Sequence, residues 1–242
     1  MTFPKMVDYL APGEKGEARL DIFSVSKKDS RFTAIRQASN PGRMEFVPEG
    51  KYMRLFVGGQ LVMSDTNMER DTNQEFLWRA HGHVLLGGLG LGMVVLAAQD
   101  KSEVKSITVL ELSQDVIDLV VPQLPLSKKV TVVTADVFQQ FILANEPQFD
   151  TIYMDIWPNI CSDNFAAMLE LREKYSRCLN PNGWFGCWSW GIVAMPQEGE
   201  IKCAYCDGIF PESESEESDE GEPCCMECYD AGEGSFDEEE CG

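Results

Sequence analysis

Residues 84–92 read V-L-L-G-G-L-G-L-G, and 93–99 follow with helical character. A strand that runs into clustered glycines and then a helix leaves few folds open. The pattern predicts the strand, turn and helix of a nucleotide-type binding fold. Glycine suits such a turn because the backbone takes angles a side chain forbids and must closely approach a ligand. The helix behind it offers unpaired N–H groups and a positive dipole end to a polar or anionic ligand group. Many Gly-rich turns bind nothing, so the neighbouring elements decide what this one means.

Those neighbours come in a fixed order. Residues 106–112 (S-I-T-V-L-E-L) form a second apolar run carrying Glu111, about twenty residues past the glycines, where an acid can hydrogen-bond ribose hydroxyls. An amphipathic helix is expected over 114–124, with Val116, Ile117, Val120 and Val121 at core spacing. Residues 130–135 form a third strand with Asp136 just past its end, and a helix is expected over 137–144. A fourth strand, 149–154, runs into Asp155-Ile156-Trp157-Pro158. β/α units in this sequence imply a parallel sheet with ligands at the carboxyl ends of its strands.

In this order the motifs resemble the class I S-adenosylmethionine-dependent methyltransferases, and within them the spermidine synthase-like branch. The resemblance covers roughly residues 52–190. It implies an α/β, Rossmann-like, doubly wound and mainly parallel sheet. It further implies that Gly88, Gly90 and Gly92 wrap the methionine part of the cofactor, that Glu111 holds the ribose, and that Leu112 beside it belongs to the cofactor site. Asp136 with Val137 would meet the adenine, and Asp155 would face the reacting end of the cofactor as the catalytic acid.

The region before the Gly-rich strand fits the same branch. Residues 18–25 alternate as a strand, and 29–38 read as a short helix. Residues 52–63 place two apolar runs about Gly58-Gly59, a hairpin signal of the primed-turn type. One helix is expected over 68–80, capped by Asp65 or Thr66. Beyond strand four a long helix is expected over 164–179, a stop at Asn180-Pro181-Asn182-Gly183, and a fifth strand over 184–190. The sheet is expected to be truncated at its C-terminal edge, because from Pro196 the chain turns acidic and cysteine-rich. Three regions follow: 1–80 as an N-terminal strand, helix and hairpin region, 81–195 as the cofactor domain, and 196–242 as a tail.

The formal charge of −20 is concentrated in that tail, where residues 196–242 hold 17 acids and one lysine. An apolar content of 44% provides for a real core. No apolar run approaches the roughly 18 residues a membrane span needs, and no signal peptide is visible, so a soluble, cytoplasmic protein is expected. Nothing forms a basic groove, which argues against nucleic acid as a partner. The run 212–222, E-S-E-S-E-E-S-D-E-G-E, reads as a solvated loop, with an acidic surface for a basic partner as the alternative. A homo-oligomer is compatible with the sequence.

The tail carries a second motif. Cys203-x-x-Cys206 and Cys225-x-x-Cys228 are separated by eighteen residues, the spacing of a four-thiolate structural zinc site. Cys224 in place of Cys225 also closes a knuckle, and a disulfide or two unrelated thiol pairs is the alternative. Cys161, Cys178 and Cys187 read as core thiols. His81 and His83 have an H-x-H spacing for which a structural role is the expectation.

Three functions stay open. Methyl transfer is an in-line displacement at a sulfonium carbon, in which positioning dominates and Asp155 can orient or deprotonate a substrate beside a Trp157-Pro158 wall. Aminopropyl transfer uses the same fold, but the resemblance implies acids that this chain lacks. Leu91 occupies the acidic position of the turn, Pro158 the second acid after strand four, and Val62 a hairpin position that is commonly Gln. A scaffold protein that retains the fold and binds partners through the tail is the third.

Overall fold

The structure is a computed structural model that describes residues 2–39, 46–139, 148–193, 200–204, 209–217 and 223–230. Two compact units divide the chain: Met1–Asn159 with Ala166–Ser189, and Ile160–Phe165 with Trp190–Gly242.

The first unit begins with an antiparallel sheet of β1 (Gly13–Lys15), β2 (Ala18–Val25), β3 (Gly50–Val57) and β4 (Gln60–Ser64), in that order. A helix, α1 (Lys27–Ser39), connects β2 to β3 and has no buried residue. Gly58 and Gly59, at φ of 57° and 80°, form the two-residue turn between β3 and β4, so the expected hairpin forms about the expected pair. Two short helices follow, α2 (Asn67–Thr72) and α3 (Gln74–Arg79).

Five parallel strands make the second sheet: β5 (Gly82–Gly87), β6 (Val104–Glu111), β7 (Val130–Thr134), β8 (Phe149–Met154) and β9 (Leu179–Cys187). They are ordered β7-β6-β5-β8-β9, with α4 (Met93–Gln99), α5 (Gln114–Val120) and α6 (Asn164–Ser176) among the connections. The fold is therefore Rossmann-like, doubly wound and parallel. β5 is central and buried along nearly its whole length, which explains why V-L-L is apolar without alternation. Strand order reverses at β5, between β6 and β8, and that switch point opens a crevice at the carboxyl ends. Among the described residues the sheet ends at β9.

Three expectations need correction. The single helix over 68–80 is two helices, because Asn73 (φ −94°, ψ 0°) breaks it and turns its side chain back onto the Glu69 carbonyl at 2.9 Å. The fifth strand starts at Leu179 rather than 184, and α6 stops at Ser176, so the Asn-Pro-Asn-Gly stretch lies within the strand. Thr66 is the N-cap residue of α2 but makes no capping bond, and Asp65 is engaged elsewhere. The helix expected over 137–144 falls mostly outside the described residues.

The second unit contains α7 (Trp190–Val193), a hairpin of β10 (Glu200–Lys202) with β11 (Ile209–Pro211), a second of β12 (Ser215–Glu217) with β13 (Pro223–Cys225), and α8 (Met226–Asp230).

Asp65 ties the first unit together. Its fully buried carboxylate accepts from the backbone N–H groups of Met6 and Met53, both at 2.7 Å, and so fastens the N-terminal segment and β3 to the turn before α2. Removing it strands two buried N–H donors. We expect Asp65→Ala to lower stability in urea unfolding by about 2–4 kcal/mol, and Asp65→Asn, which retains one acceptor, by less.

Candidate functional site

The crevice at the switch point is a cavity of about 410 Å³. Gly88, Gly90, Glu111, Leu112, Asp136, Val137, Asp155 and Trp157 all line it. Gly92 and Pro158 do not: Gly92 lies beneath the turn as the N-cap of α4, and Pro158 is exposed.

The Gly-rich turn is shaped by protein neighbours as much as by any ligand. At Gly88 (φ +92°) a Cβ would fall 2.1 Å from the backbone oxygen of Asp155, and at Gly92 (φ +78°) 2.3 Å from Leu124 Cδ1. Both positions combine a left-handed backbone with no room for a side chain. Met63 from β4 leans over the same turn, its Sδ accepting from the Leu91 N–H at 3.1 Å.

Glu111 stands at the end of β6 with its carboxylate locked by backbone. Oε2 accepts from Leu89 N–H at 2.8 Å and Oε1 from Ser113 N–H at 2.9 Å. The carboxylate bridges the Gly-rich turn to the start of α5, which Ser113 caps through Val116 N–H at 3.3 Å. Two of its four acceptor sites remain for a ligand. Asp136 is fixed similarly, Oδ1 accepting from Phe138 N–H at 2.9 Å. Leu112, 71% exposed, lies at the rim of the same wall.

Opposite these lies a group that sequence reasoning missed. Glu69 of α2 is only 5% exposed and lines the cavity together with Asp155. Its carboxylate accepts from the backbone of Ser64, and that of Asp155 from the side chain of Asn73. Asn73 is fully buried, and its Oδ1 accepts from the Tyr153 hydroxyl at 2.9 Å. Burial pushes the Glu69 carboxyl from an ordinary 4.5 up to about 8, helped by the nearby Asp155 charge. Burial likewise pushes Asp155 up to about 7, against the Asn73 hydrogen bond that favours its charged form.

The histidines lie at the start of β5, away from the cavity. His83 Nδ1 meets Ser106 Oγ at 2.8 Å and His81 Nδ1 the Arg79 carbonyl at 2.9 Å. Cys178 and Cys187 are buried and Cys161 half-buried. In the second unit the Sγ atoms of Cys203, Cys225 and Cys228 lie within 4.8 Å of one another. The Cys225 N–H donates to Cys203 Sγ at 3.5 Å, as thiolate ligands commonly require of their surroundings. Cys224 instead directs its S–H to the Cys225 carbonyl at 3.4 Å, so of the two candidates Cys225 joins the cluster. Cys206 lies outside the described residues.

No family model matches the chain, and no curated protein matches it. Solved structures resemble it in fold. They include an S-adenosylmethionine-dependent methyltransferase from Mesorhizobium loti, at 17% identity and TM-score 0.38 over 49% of this chain and 54% of that one. A spermidine synthase from Thermotoga maritima matches at 15% identity and TM-score 0.45, over 74% of this chain and 55% of that one. A glycopeptide N-methyltransferase complexed with S-adenosyl-L-methionine matches at 19% identity and TM-score 0.37, over 48% and 47%. The chain spans about half the length of each of these three.

The raised acids predict how the fold responds to pH. Glu69 binds its proton more tightly folded than unfolded, so its contribution is fully present below about pH 4.5 and lost as pH rises through about 8. Thermal melts of the wild type should therefore fall in Tm between about pH 5 and about pH 8. Glu69→Gln should flatten that slope and be the more stable form at the alkaline end. Parallel slopes for the two would show that Glu69 is not buried as described.

Proposed function

We propose that this protein binds S-adenosylmethionine in the switch-point cavity and transfers its methyl group to a substrate. One observation supports the reading above the others: a backbone-locked Glu111 shares one cavity with the Gly-rich turn, Asp136 and Asp155. The remaining acceptor sites of Glu111 suit the two ribose hydroxyls, and Asp136 with Val137 and Leu112 suits the adenine edge and faces. Asp155, at the end of β8, stands toward the reacting carbon. Bound S-adenosylmethionine supplies that electrophilic carbon; the chain supplies orientation, a dry wall of Leu55, Val57, Val62 and Trp157, and carboxylates to take a proton. Aminopropyl transfer ranks second, since Leu91 brings no acid to the turn and Pro158 lies outside the cavity.

Calorimetric titration with S-adenosylmethionine tests this. Glu111→Ala should weaken binding at least about tenfold, because charge-assisted bonds are lost. Asp136→Asn retains the bond to Phe138 N–H and removes only charge, and should weaken it by less. No binding to the wild type would end the proposal.

The tail is proposed to hold one structural zinc through Cys203, Cys206, Cys225 and Cys228. Three of the four sulfurs converge, and a segment so acidic and poor in apolar residues has little burial with which to fold. Metal binding and tail order should then be a single event. Purified protein should contain about one zinc per chain. A strong chelator, or Ser at Cys203 and Cys206, should expose the chain near Lys202 to protease while the first unit stays intact. Metal-free protein with a protease-resistant tail would overturn the site.

A further inference from the structure

Resting on the reading that the cavity binds S-adenosylmethionine, we propose that Met63 is an oxidation site whose sulfoxide weakens that binding, so that peroxide regulates the site. Of the described methionines, Met63 and Met93 line the cavity; Met93 is fully buried, whereas Met63 is half-buried. Met63 belongs to β4 of the hairpin, and its sulfur reaches across to the Gly-rich turn. A Cβ at Gly90 would fall 2.1 Å from Sδ, so the thioether fills the space that a side chain there would take.

The hydrogen bond at this contact is of a weak kind. Leu91 is fully buried, and among the described residues the only acceptor for its N–H is Met63 Sδ, at 3.1 Å. A buried N–H is ordinarily matched with an oxygen, and a thioether is a poor substitute. The turn proposed to face the cofactor therefore leans on a sulfur whose acceptor strength, size and polarity all change on oxidation.

Hydrogen peroxide is the oxidant. A sulfur lone pair of Met63 bonds to one peroxide oxygen, the O–O bond breaks, and the other oxygen leaves as water with both protons. The thioether loses two electrons and the peroxide gains them. The sulfoxide is larger than the thioether, and its oxygen is a strong acceptor. No oxygen fits between a sulfur and a nitrogen that already stand 3.1 Å apart. If the new oxygen takes the Leu91 N–H, the sulfur must back away from the turn and uncover Gly90. If it turns away from Leu91, a polar group stands in the cavity wall beside Leu55, Val57 and Val62, whose side chains have no donor to offer. Each placement alters the cofactor wall at the Gly-rich turn.

The test treats the full chain with hydrogen peroxide, removes the peroxide, and adds dithiothreitol, which reverses sulfenic acids and disulfides and leaves sulfoxides in place. Peptide mass spectrometry locates the added oxygen, and calorimetry measures S-adenosylmethionine affinity. Met63 should gain an oxygen while Met93 does not, and affinity should fall at least about tenfold. Methionine sulfoxide reductases of both stereospecificities should restore it. Met63→Leu should have the same affinity before and after peroxide, within about twofold. A Met63 that stays unoxidised when the exposed Met226 is fully converted overturns the proposal. So does complete Met63 sulfoxide with affinity within about twofold of the untreated protein. Both of these outcomes are read in the wild type alone. A loss in Met63→Leu equal to that of the wild type assigns the effect to another residue and overturns the proposal as well. Failure of the untreated wild type to bind S-adenosylmethionine removes the cofactor reading and this one with it, an outcome separate from the others because it is seen before any peroxide is added.

Discussion

The side chain of Asn73 joins three parts of this structure. Its Nδ2 donates to the Glu69 carbonyl, its Oδ1 accepts from Tyr153, and its side chain also supports Asp155. A fully buried amide engaged on every side has one orientation. That orientation sets the elbow between α2 and α3, and the elbow decides which way Glu69 faces. Thr72, one residue earlier, accepts through Oγ1 from Nε1 of Trp188, just past β9, at 2.8 Å, so the elbow is fixed at two points. Tyr153 is in turn clamped by Phe76, with ring centroids 4.6 Å apart. The cavity wall on this side is therefore fastened to β8.

Much of the opposite wall was legible in the sequence. Successive β/α units announced a parallel sheet, and glycines followed by acids at two strand ends announced the crevice they face. Those signals are local, each needing only a few adjacent residues. Glu69 gave no such signal. It lies in N-M-E-R-D-T, a stretch whose polarity reads as the solvated face of a helix. Only the break at Asn73 and the packing of the elbow turn it inward, and both are tertiary effects. Asp65 was misread for the same reason: its sequence position suits a cap, while its actual partners, Met6 and Met53, lie 59 and 12 residues away. In the tail, three sulfurs of the paired C-x-x-C motifs, those of Cys203, Cys225 and Cys228, lie within 4.8 Å of one another, a convergence that no single knuckle announces.

The glycines show how a motif can be right in outline while its physical reason shifts. Two causes were expected, backbone angles that a side chain forbids and close approach to a ligand, and the first is met by the positive φ of Gly88, Gly90 and Gly92. A further constraint comes from the protein itself: a Cβ at Gly88 would meet the backbone oxygen of Asp155, beyond the end of the neighbouring strand. Asp155 N–H donates to the Gly87 carbonyl at 2.8 Å, so the turn and the acid after β8 are positioned together. A side chain at Gly88 would push apart two walls of the cavity at once. The turn thus governs the site through packing before any ligand arrives.

The cavity holds two kinds of acid, and the distinction between them decides what each can do. Glu111 and Asp136 take their hydrogen bonds from backbone N–H groups, which fix the carboxylates and leave acceptor sites for neutral hydroxyl or amino donors. Such groups are suited to recognition. Burial raises the affinity of Glu69 and Asp155 for a proton, at Glu69 with the nearby Asp155 charge adding to it. A carboxyl group that titrates near neutrality is suited to moving a proton, because neither of its forms is strongly preferred. Separation of the two kinds across one crevice is the arrangement expected where a fixed ligand on one wall meets a reacting group on the other. The same separation explains why substitution should act differently on the two sides. Under the proposed function, loss of the Glu111 carboxylate removes a hold on the ligand, whereas loss of the Glu69 carboxyl removes a buried titratable group and relieves the fold at alkaline pH.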